Sequence, residues 1–500
     1  MTWLTILLHI WLLWHATCGT TTEQETIVYS NSVAKIRHQQ FLNYAINKMK
    51  KRPRMKSYEA AEEYVANPLN ALALLRRLQQ DWPKWLKYIK ADSLQLEQME
   101  ERLKQAPSKR DLRNAVSKLL HLENFYDLET SHMIKGLLLE QQYDAQLDSV
   151  DCFALGNYLF RRNAFSRSTH WYRNAIRIYK EPYSKIYSKV YGVKLHKIYR
   201  QYARAIANET YILEKPKDKS TQEWAAAGAI VTRLVEDAKN KDIKRLIEQY
   251  LAGDEQIFIK DRARLRVKPT QLQSACRAES QTPSSSNLYC RYDRESSAFL
   301  KLAALKIEML RLQPAVKLFH QVLHDKEIAT LKQWSKEQTN WSSTSAVKSY
   351  ALPADQLRLV DKLNSRIADM MQLDIAKHQE LHLLNYGLGA HLGDPRCKSN
   401  SKSKHVACQL QGNYTKQATS SRQATMLFAA STVPLGGAVV FPKMQLTLKL
   451  PKGSALFWSN LNAIGKRDAL ANYVICPVLV GSRWALSKCI NERPNRLCLA

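Results

Sequence analysis

Residues 384–397 read LNYGLGAHLGDPRC, and PKGSALFWSNL at 451–461 and CPVLVGSRW at 476–484 belong with them. Each joins a short apolar run to glycine, proline or serine, as brief strands between turns require. Similar runs fall at 424–429, 436–441, 446–450, 455–458 and 473–480, while 324–331 and 360–371 carry helical spacing. Short strands with intervening turns predict a jelly-roll or double-stranded β-helix across 299–500, entered through helical segments. In the quoted stretch, two residues separate His391 from the carboxylate of Asp394. On a strand that spacing points the pair to opposite faces, so it does not make a metal site. His405, in the Ser/Lys-rich insert that follows, reads as exposed.

The chain ahead of this region is helical. YVANPLNALALLRRL at 64–78 sets Leu72, Leu74, Leu75 and Leu78 around Arg76 and Arg77. Pro68 suits a first helical turn, where its missing N–H has no intrahelical partner, and Asp81-Trp82-Pro83 ends the run. Leu94, Leu96, Met99 and Leu103 recur at helical spacing, as do Leu112, Val116, Leu119, Leu120 and Leu122. Residues 141–241 form a second helical unit. Asp151-Cys152-Phe153, Gly156, Phe160, Phe165 and Trp171 trace one helix–turn–helix, and 191–206 begin another. Paired helices of this size are similar to tetratricopeptide repeats, which leave a concave face open. Tyrosines crowd the unit, and Tyr183, Tyr187 and Tyr191 share one helix face, available to a groove or to packing. A charged, Ser-rich connector occupies 242–298.

Taken together, these motifs closely resemble the collagen prolyl 4-hydroxylase alpha subunit along nearly the whole mature chain. Residues 64–78 and LLHLENFYDL at 119–128 carry the resemblance in the first helical unit. Cys276-Arg277 and LYCRY at 288–292 carry it in the connector. Asn385-Tyr386-Gly387, Arg422-x-Ala424-Thr425, Gly436-Gly437-Ala438, Pro451-Lys452-Gly453 and Cys476–Gly481 carry it in the last unit. The resemblance implies an α+β multidomain protein. Its parts are a helical dimerisation domain at 23–140, a tetratricopeptide-like peptide-binding domain at 141–241 and a disulfide-bearing connector at 242–298. An Fe(II)/2-oxoglutarate dioxygenase-like double-stranded β-helix then fills 299–500.

In that family NYGxGG precedes a His-x-Asp pair that grips iron, and a second His lies three residues before the Cys of CPVLVG. Those positions here hold Pro395, Cys397 and Tyr473, so no intact facial triad and no bound metal are expected. The basic residue that holds the far carboxylate of 2-oxoglutarate in the family is Arg483 here. Val439 also departs, giving GGAVVF for GGATVF. The expectation is a non-catalytic paralogue with no cofactor of its own. The alternative is an active procollagen-proline 4-dioxygenase using Fe(II), 2-oxoglutarate and ascorbate. The resemblance further implies peptide contacts from Tyr158, Phe160 and Tyr191, with Lys194 and Val190 departing from the family's groove. It implies pairing with a protein disulfide isomerase beta subunit and with a second alpha subunit. Disulfides Cys276–Cys290 and Cys476–Cys498 are implied in the same way.

Charge and compartment complete the reading. The first residues, 1–18, read as a signal peptide: an apolar run at 3–14 is too short to span a bilayer and is followed by small residues. A lumenal chain is expected in the endoplasmic reticulum, with secretion as the alternative because no retention signal closes the sequence. Asn208, Asn340 and Asn413 begin glycosylation sequons. Eight cysteines follow the signal, with Cys397 and Cys408 flanking a loop they can close and Cys152 read as a buried thiol. The formal charge of +30 is spread along the chain and accompanies no nucleic-acid motif. It fits a solvated basic surface or attraction to an acidic lumenal partner, not nucleic acid or a membrane.

Overall fold

The computed structural model describes residues 57–89, 101, 104, 106–180, 183–212, 269–277, 287–337, 347–353, 358–371, 381–390, 422–462 and 464–491. The chain clusters into two units, Met1–Val65 with Leu69–Lys268, and Ala66–Pro68 with Pro269–Ala500. Among the described residues no helix is long and apolar enough to cross a membrane.

The first unit is built from helices α1 (Tyr58–Val65), α2 (Pro68–Arg76) and α3 (Trp82–Ile89), with a π-helical turn at Arg77–Asp81 between the last two. Pro68 begins α2, as its missing N–H allows. Asp81-Trp82-Pro83 does not stop the chain's helical path; the π turn absorbs the break and α3 continues. Helix α4 (Lys109–Tyr126) starts at a reciprocal capping box between Ser108 and Asp111 and buries Leu112, Val116, Leu119, Leu120 and Leu122. A short helix α5 (Thr130–Ile134) and a small hairpin, β1 (Leu137–Leu138) with β2 (Gln141–Gln142), follow.

A second capping box, Asp148 with Asp151, opens α6 (Ser149–Phe160), which pairs with α7 (Phe165–Arg177) as an antiparallel hairpin. Gly156 makes that pairing close, since a Cβ there would come within 2.6 Å of the Tyr172 ring. Cys152 is fully buried in α6. Helices α8 (Tyr183–Lys189) and α9 (Leu195–Ile212) complete the described unit.

The second unit holds a large antiparallel sheet of eight strands. Its strands are β3 (Cys290–Asp293), β4 (Leu305–Arg311), β5 (Val316–His320), β6 (Val347–Leu352), β7 (Leu381–Tyr386), β8 (Arg422–Ala429), β12 (Ala455–Ser459) and β15 (Arg483–Asn491). Their spatial order is β3-β4-β5-β12-β8-β15-β7-β6. Two smaller sheets accompany it, β10 (Val439–Phe441) between β11 (Leu446–Leu448) and β13 (Val474–Ile475), and β9 (Leu435–Gly436) with β14 (Val478–Val480). Period-two alternation divides the large sheet's side chains. Ala424, Met426, Phe428, Ala455, Phe457, Trp484 and Leu486 pack with Leu363 and Ile367 of helix α12 (Arg358–Met371) and Ile328 and Leu331 of helix α11 (Asp325–Glu337). Leu427, Leu456, Trp458 and Ala485 face the other way, onto Val439, Phe441, Leu446 and Leu448 of the small sheet.

Residues 299–500 do not open on long helices: a single 3-10 turn at Phe299–Lys301 leads into β4 and β5, which precede α11. The connector's tail, at β3, already belongs to the sheet.

Both disulfides implied by the resemblance are corrected. Cys276 bonds to Cys476, across 200 residues of sequence and with 5.8 Å between Cα atoms. Cys290 is free and exposed. Helix α10 (Gln271–Arg277) decides the matter: Thr447 of β11 donates from its hydroxyl to the Ala275 carbonyl at 3.2 Å, and this docking brings Cys276 to Cys476. Cys290 instead opens β3, in register with Glu308 of β4. Cys476 therefore has no sulfur left for Cys498, which lies outside the described residues. Cys489 is disulfide-bonded, and no described cysteine is its partner.

Candidate functional site

Two places in the molecule gather the residues that the sequence singled out. The first lies between the large and small sheets. Arg483 opens β15 and sits directly across from Tyr386, the last residue of β7. Its guanidinium lies 5.3 Å from the centroid of the Tyr386 ring, and only 4% of the residue is exposed. Its Nη1 has no hydrogen-bond partner, and no carboxylate pairs with it among the described residues. Burial pulls its pKa below the ordinary arginine value, and the electron-rich oxygens of Tyr386 and Tyr473 only partly offset that. Space for the side chain comes from Gly437, at φ +67°, where a Cβ would come within 3.3 Å of Arg483 Cδ. A buried cation with an unsatisfied donor is expensive unless an anion meets it.

Tyr473 stands at the edge of the same region. Its ring packs edge-on against Trp458 at 4.7 Å and tilted against Phe441 at 6.2 Å. It joins the cluster around Trp458 to the one around Tyr386, Val347 and Val478. The Trp458 indole N–H is also buried without a partner. The ring thus acts as an apolar wedge. Pro395 and Cys397 lie outside the described residues, as do His391, His405, Cys408, Asn340 and Asn413. A proline, a thiol and a phenol, the residues at the positions where the resemblance puts the iron ligands, do not fit ferrous ion in a facial triad. Arg483, by contrast, fits a carboxylate.

The second place is in the helical unit, and sequence reasoning found only half of it. Tyr183 and Tyr187 stack at 6.4 Å, and Tyr187 and Tyr191 at 6.2 Å, with interplanar angles of 20° and 29°. Tyr187 is buried, whereas Tyr183 is 37% exposed and Tyr191 half-buried. The stack therefore serves both packing and an open edge. Trp85 of α3 meets Tyr191 edge-on at 6.2 Å and donates from Nε1 to its hydroxyl at 3.1 Å. Lys84 donates from Nζ to the Tyr191 carbonyl at 3.0 Å. Burial first, then the charge on Asp81, raises the Tyr191 phenol above its ordinary pKa. Tyr158 and Phe160 make local contacts instead. Arg162 lies 4.8 Å over the Tyr158 ring, and Phe160 packs on Phe165 at 5.1 Å.

A buried charge cluster holds α3 in reach of Tyr191. The Arg76 guanidinium donates to both oxygens of Asp81 at 2.7 and 2.8 Å, to Asp148 at 3.0 Å, and to Asp151. The π turn makes the first contact possible by bringing residue i+5 back to residue i. Burial works to discharge Arg76, but Asp148, Asp151 and Asp81 outweigh it and hold its pKa well above the ordinary value. Burial, only partly opposed by Arg76, pushes Asp81 up to about 6. The same Asp148 and Asp151 cap α6, so one cluster joins the early helices to the α6–α7 hairpin. The sequence held a signal for it: Asp148-x-x-Asp151 is a capping-box spacing, and Arg76 sits within a leucine-rich run. Asn208 lies within α9, where its side-chain amide donates to the Arg204 carbonyl at 2.8 Å.

The chain is similar to prolyl 4-hydroxylase alpha subunits. The family model described as "Prolyl 4-Hydroxylase alpha-subunit, N-terminal region" matches residues 25–140. Prolyl 4-hydroxylase subunit alpha-2 of Caenorhabditis elegans is 28% identical over 455 residues, covering 86% of this chain and 81% of that relative. The human subunit alpha-1 is 27% identical over 454 residues, covering 86% and 84%. Among solved structures, the viral collagen prolyl hydroxylase of Paramecium Bursaria Chlorella virus-1 is 15% identical and covers 36% of this chain and 96% of its own. The TM-score is 0.28.

Proposed function

The chain belongs to the prolyl 4-hydroxylase alpha-subunit family, and from that premise we propose that it is a non-catalytic member. On this reading it resides in the endoplasmic reticulum lumen and binds proline-rich, collagen-like chains through its helical unit. It associates with a protein disulfide isomerase beta subunit and a second alpha subunit, as its family resemblance implies. Its last unit is a double-stranded β-helix maintained for shape.

The observation that carries the proposal is Tyr473. A phenol packed edge-on against Trp458 at 4.7 Å fills the position of the family's distal iron histidine. Together with Pro395 and Cys397 at the other ligand positions, it leaves no histidine among the three. The competing reading, an active dioxygenase, draws on Arg483, whose unpaired guanidinium suits the far carboxylate of 2-oxoglutarate. Anion binding does not require iron, so both facts are compatible with a barrel that has kept one ligand and lost the other.

Two measurements test the proposal. Purified chain supplied with Fe(II), 2-oxoglutarate, ascorbate and a proline-rich peptide should release no succinate above the peptide-free background. Metal analysis should find iron far below one per chain. Succinate released in step with hydroxylated peptide sinks the non-catalytic reading. Titration of tyrosine and tryptophan fluorescence with the same peptide should saturate if the helical unit binds it.

A further inference from the structure

We propose that the tyrosine stack and the cationic rim at its Tyr191 end select an extended proline-rich peptide that carries an acidic side chain. This inference rests on the peptide-binding reading above and narrows it.

The stack supplies flat apolar edges at Tyr183 and Tyr191, suited to an extended ligand that arrives with little conformational freedom left to lose. Apart from the partly paired Asp81 and Asp148 behind it, the charges near Tyr191 are positive. Lys84 Nζ lies 5.9 Å from the centroid of its ring. Lys194, just ahead of α9, and Lys197 and Arg200 in its first turns are exposed, and no carboxylate pairs with them among the described residues. They act on one another. Burial lowers the Lys84 pKa, and Lys197 lowers it further, while burial and then Lys194, Arg200 and Lys197 depress His196. Asp81 is the acid that acts on this group, through Lys84, and it is already committed to Arg76.

Such crowding is no help to the fold. The first turn of α9 carries no acidic residue, and cations there oppose the helix dipole. An anion at the rim relieves that repulsion, and an aspartate or glutamate on a peptide lying along the stack supplies it. Lys84 has its ammonium fixed by the Tyr191 carbonyl, so part of the receptor is ordered before the ligand arrives.

The test uses the full chain and three proline-rich peptides of equal length that differ at one central position: glutamate, glutamine or lysine. At low salt the glutamate peptide should bind about tenfold more tightly than the lysine peptide, the sum of a few solvent-exposed ion pairs, with glutamine between them. The gap should shrink at high salt. The double variant Lys194→Glu, Lys197→Glu should invert the order, while Tyr191→Ala should weaken all three. Equal affinity for all three peptides, or an order that the double variant leaves unchanged, overturns the charge preference and leaves peptide binding standing. Absence of binding by any peptide overturns both. A sulfated oligosaccharide that loses affinity for the double variant while the peptide order stays the same would assign the rim to glycan and overturn the inference.

Discussion

Arg483 and Arg76 are both buried guanidiniums, and their surroundings are opposite. Among the described residues Arg483 has no carboxylate opposite it, whereas Arg76 has three. For Arg483→Met, the loss of an unpaired buried charge should leave thermal stability unchanged or raised. If wild type binds 2-oxoglutarate at this residue, a hundredfold excess over Kd stabilises it by about 2.7 kcal/mol, and the variant should lose that shift. A shift that survives the substitution places the acid elsewhere. At Arg76 the sign reverses. Arg76→Met strands the buried Asp81 and Asp151 and the half-buried Asp148, and should cost about 3–5 kcal/mol in urea unfolding. Asp81 gives the cluster a pH signature. Its folded pKa, about 6, is raised above the usual carboxylate value near 4. The folded chain thus holds this proton more tightly, and the contribution of Asp81 to stability declines as pH rises from about 4 to about 6. Asp81→Asn, which does not titrate, should gain on wild type across that window. Denaturation of the two proteins in parallel at several pH values reads the difference, and a gain in the opposite direction contradicts the raised pKa.

At the scale of elements, helix α10 and strand β3 separate the two cysteines that the family resemblance paired. Cys276 and Cys290 are only 14 positions apart, yet α10 docks on β11 and carries Cys276 to Cys476, while β3 pairs along the sheet edge. Non-reducing peptide mapping should recover the Cys276–Cys476 link. A maleimide should label Cys290 in the native chain and reach the buried Cys152 only after unfolding. Cys276→Ser should cost about 2–5 kcal/mol, the usual loss for a native disulfide, whereas Cys290→Ser should cost almost nothing. The strands at 424–429, 446–450 and 455–458 were legible because alternation and turn residues are local properties, whereas the runs at 436–441 and 473–480 each break into two short strands that join different sheets. Strands β4, β5 and β15 were not legible. Leu305–Arg311 and Arg483–Asn491 carry Lys306, Glu308 and Lys488 among their apolar residues, and only their partners across the sheet fix their state.

At the scale of the whole molecule, the helical unit and the sheet unit carry separate parts of the proposed function. The helical unit assembles its tyrosine face from early and late segments: Trp85 from α3 and Tyr191 beyond α8 meet although 106 positions separate them. The sheet unit assembles its interior from Tyr386, Tyr473 and Arg483 across three turns of the chain. By itself the sequence determined the division into helical and strand-rich regions, the short-strand character of 424–480, and the identities at the positions where the resemblance puts iron ligands. These depend on periodicity, turn chemistry and single side chains, all readable one residue at a time. Only the tertiary structure decided which cysteine meets Cys476, which carboxylates surround Arg76, and that Arg483 stands without an acid among the described residues. Each of those is a contact between distant segments, and the free energy that selects it comes from burial and pairing after the chain has closed.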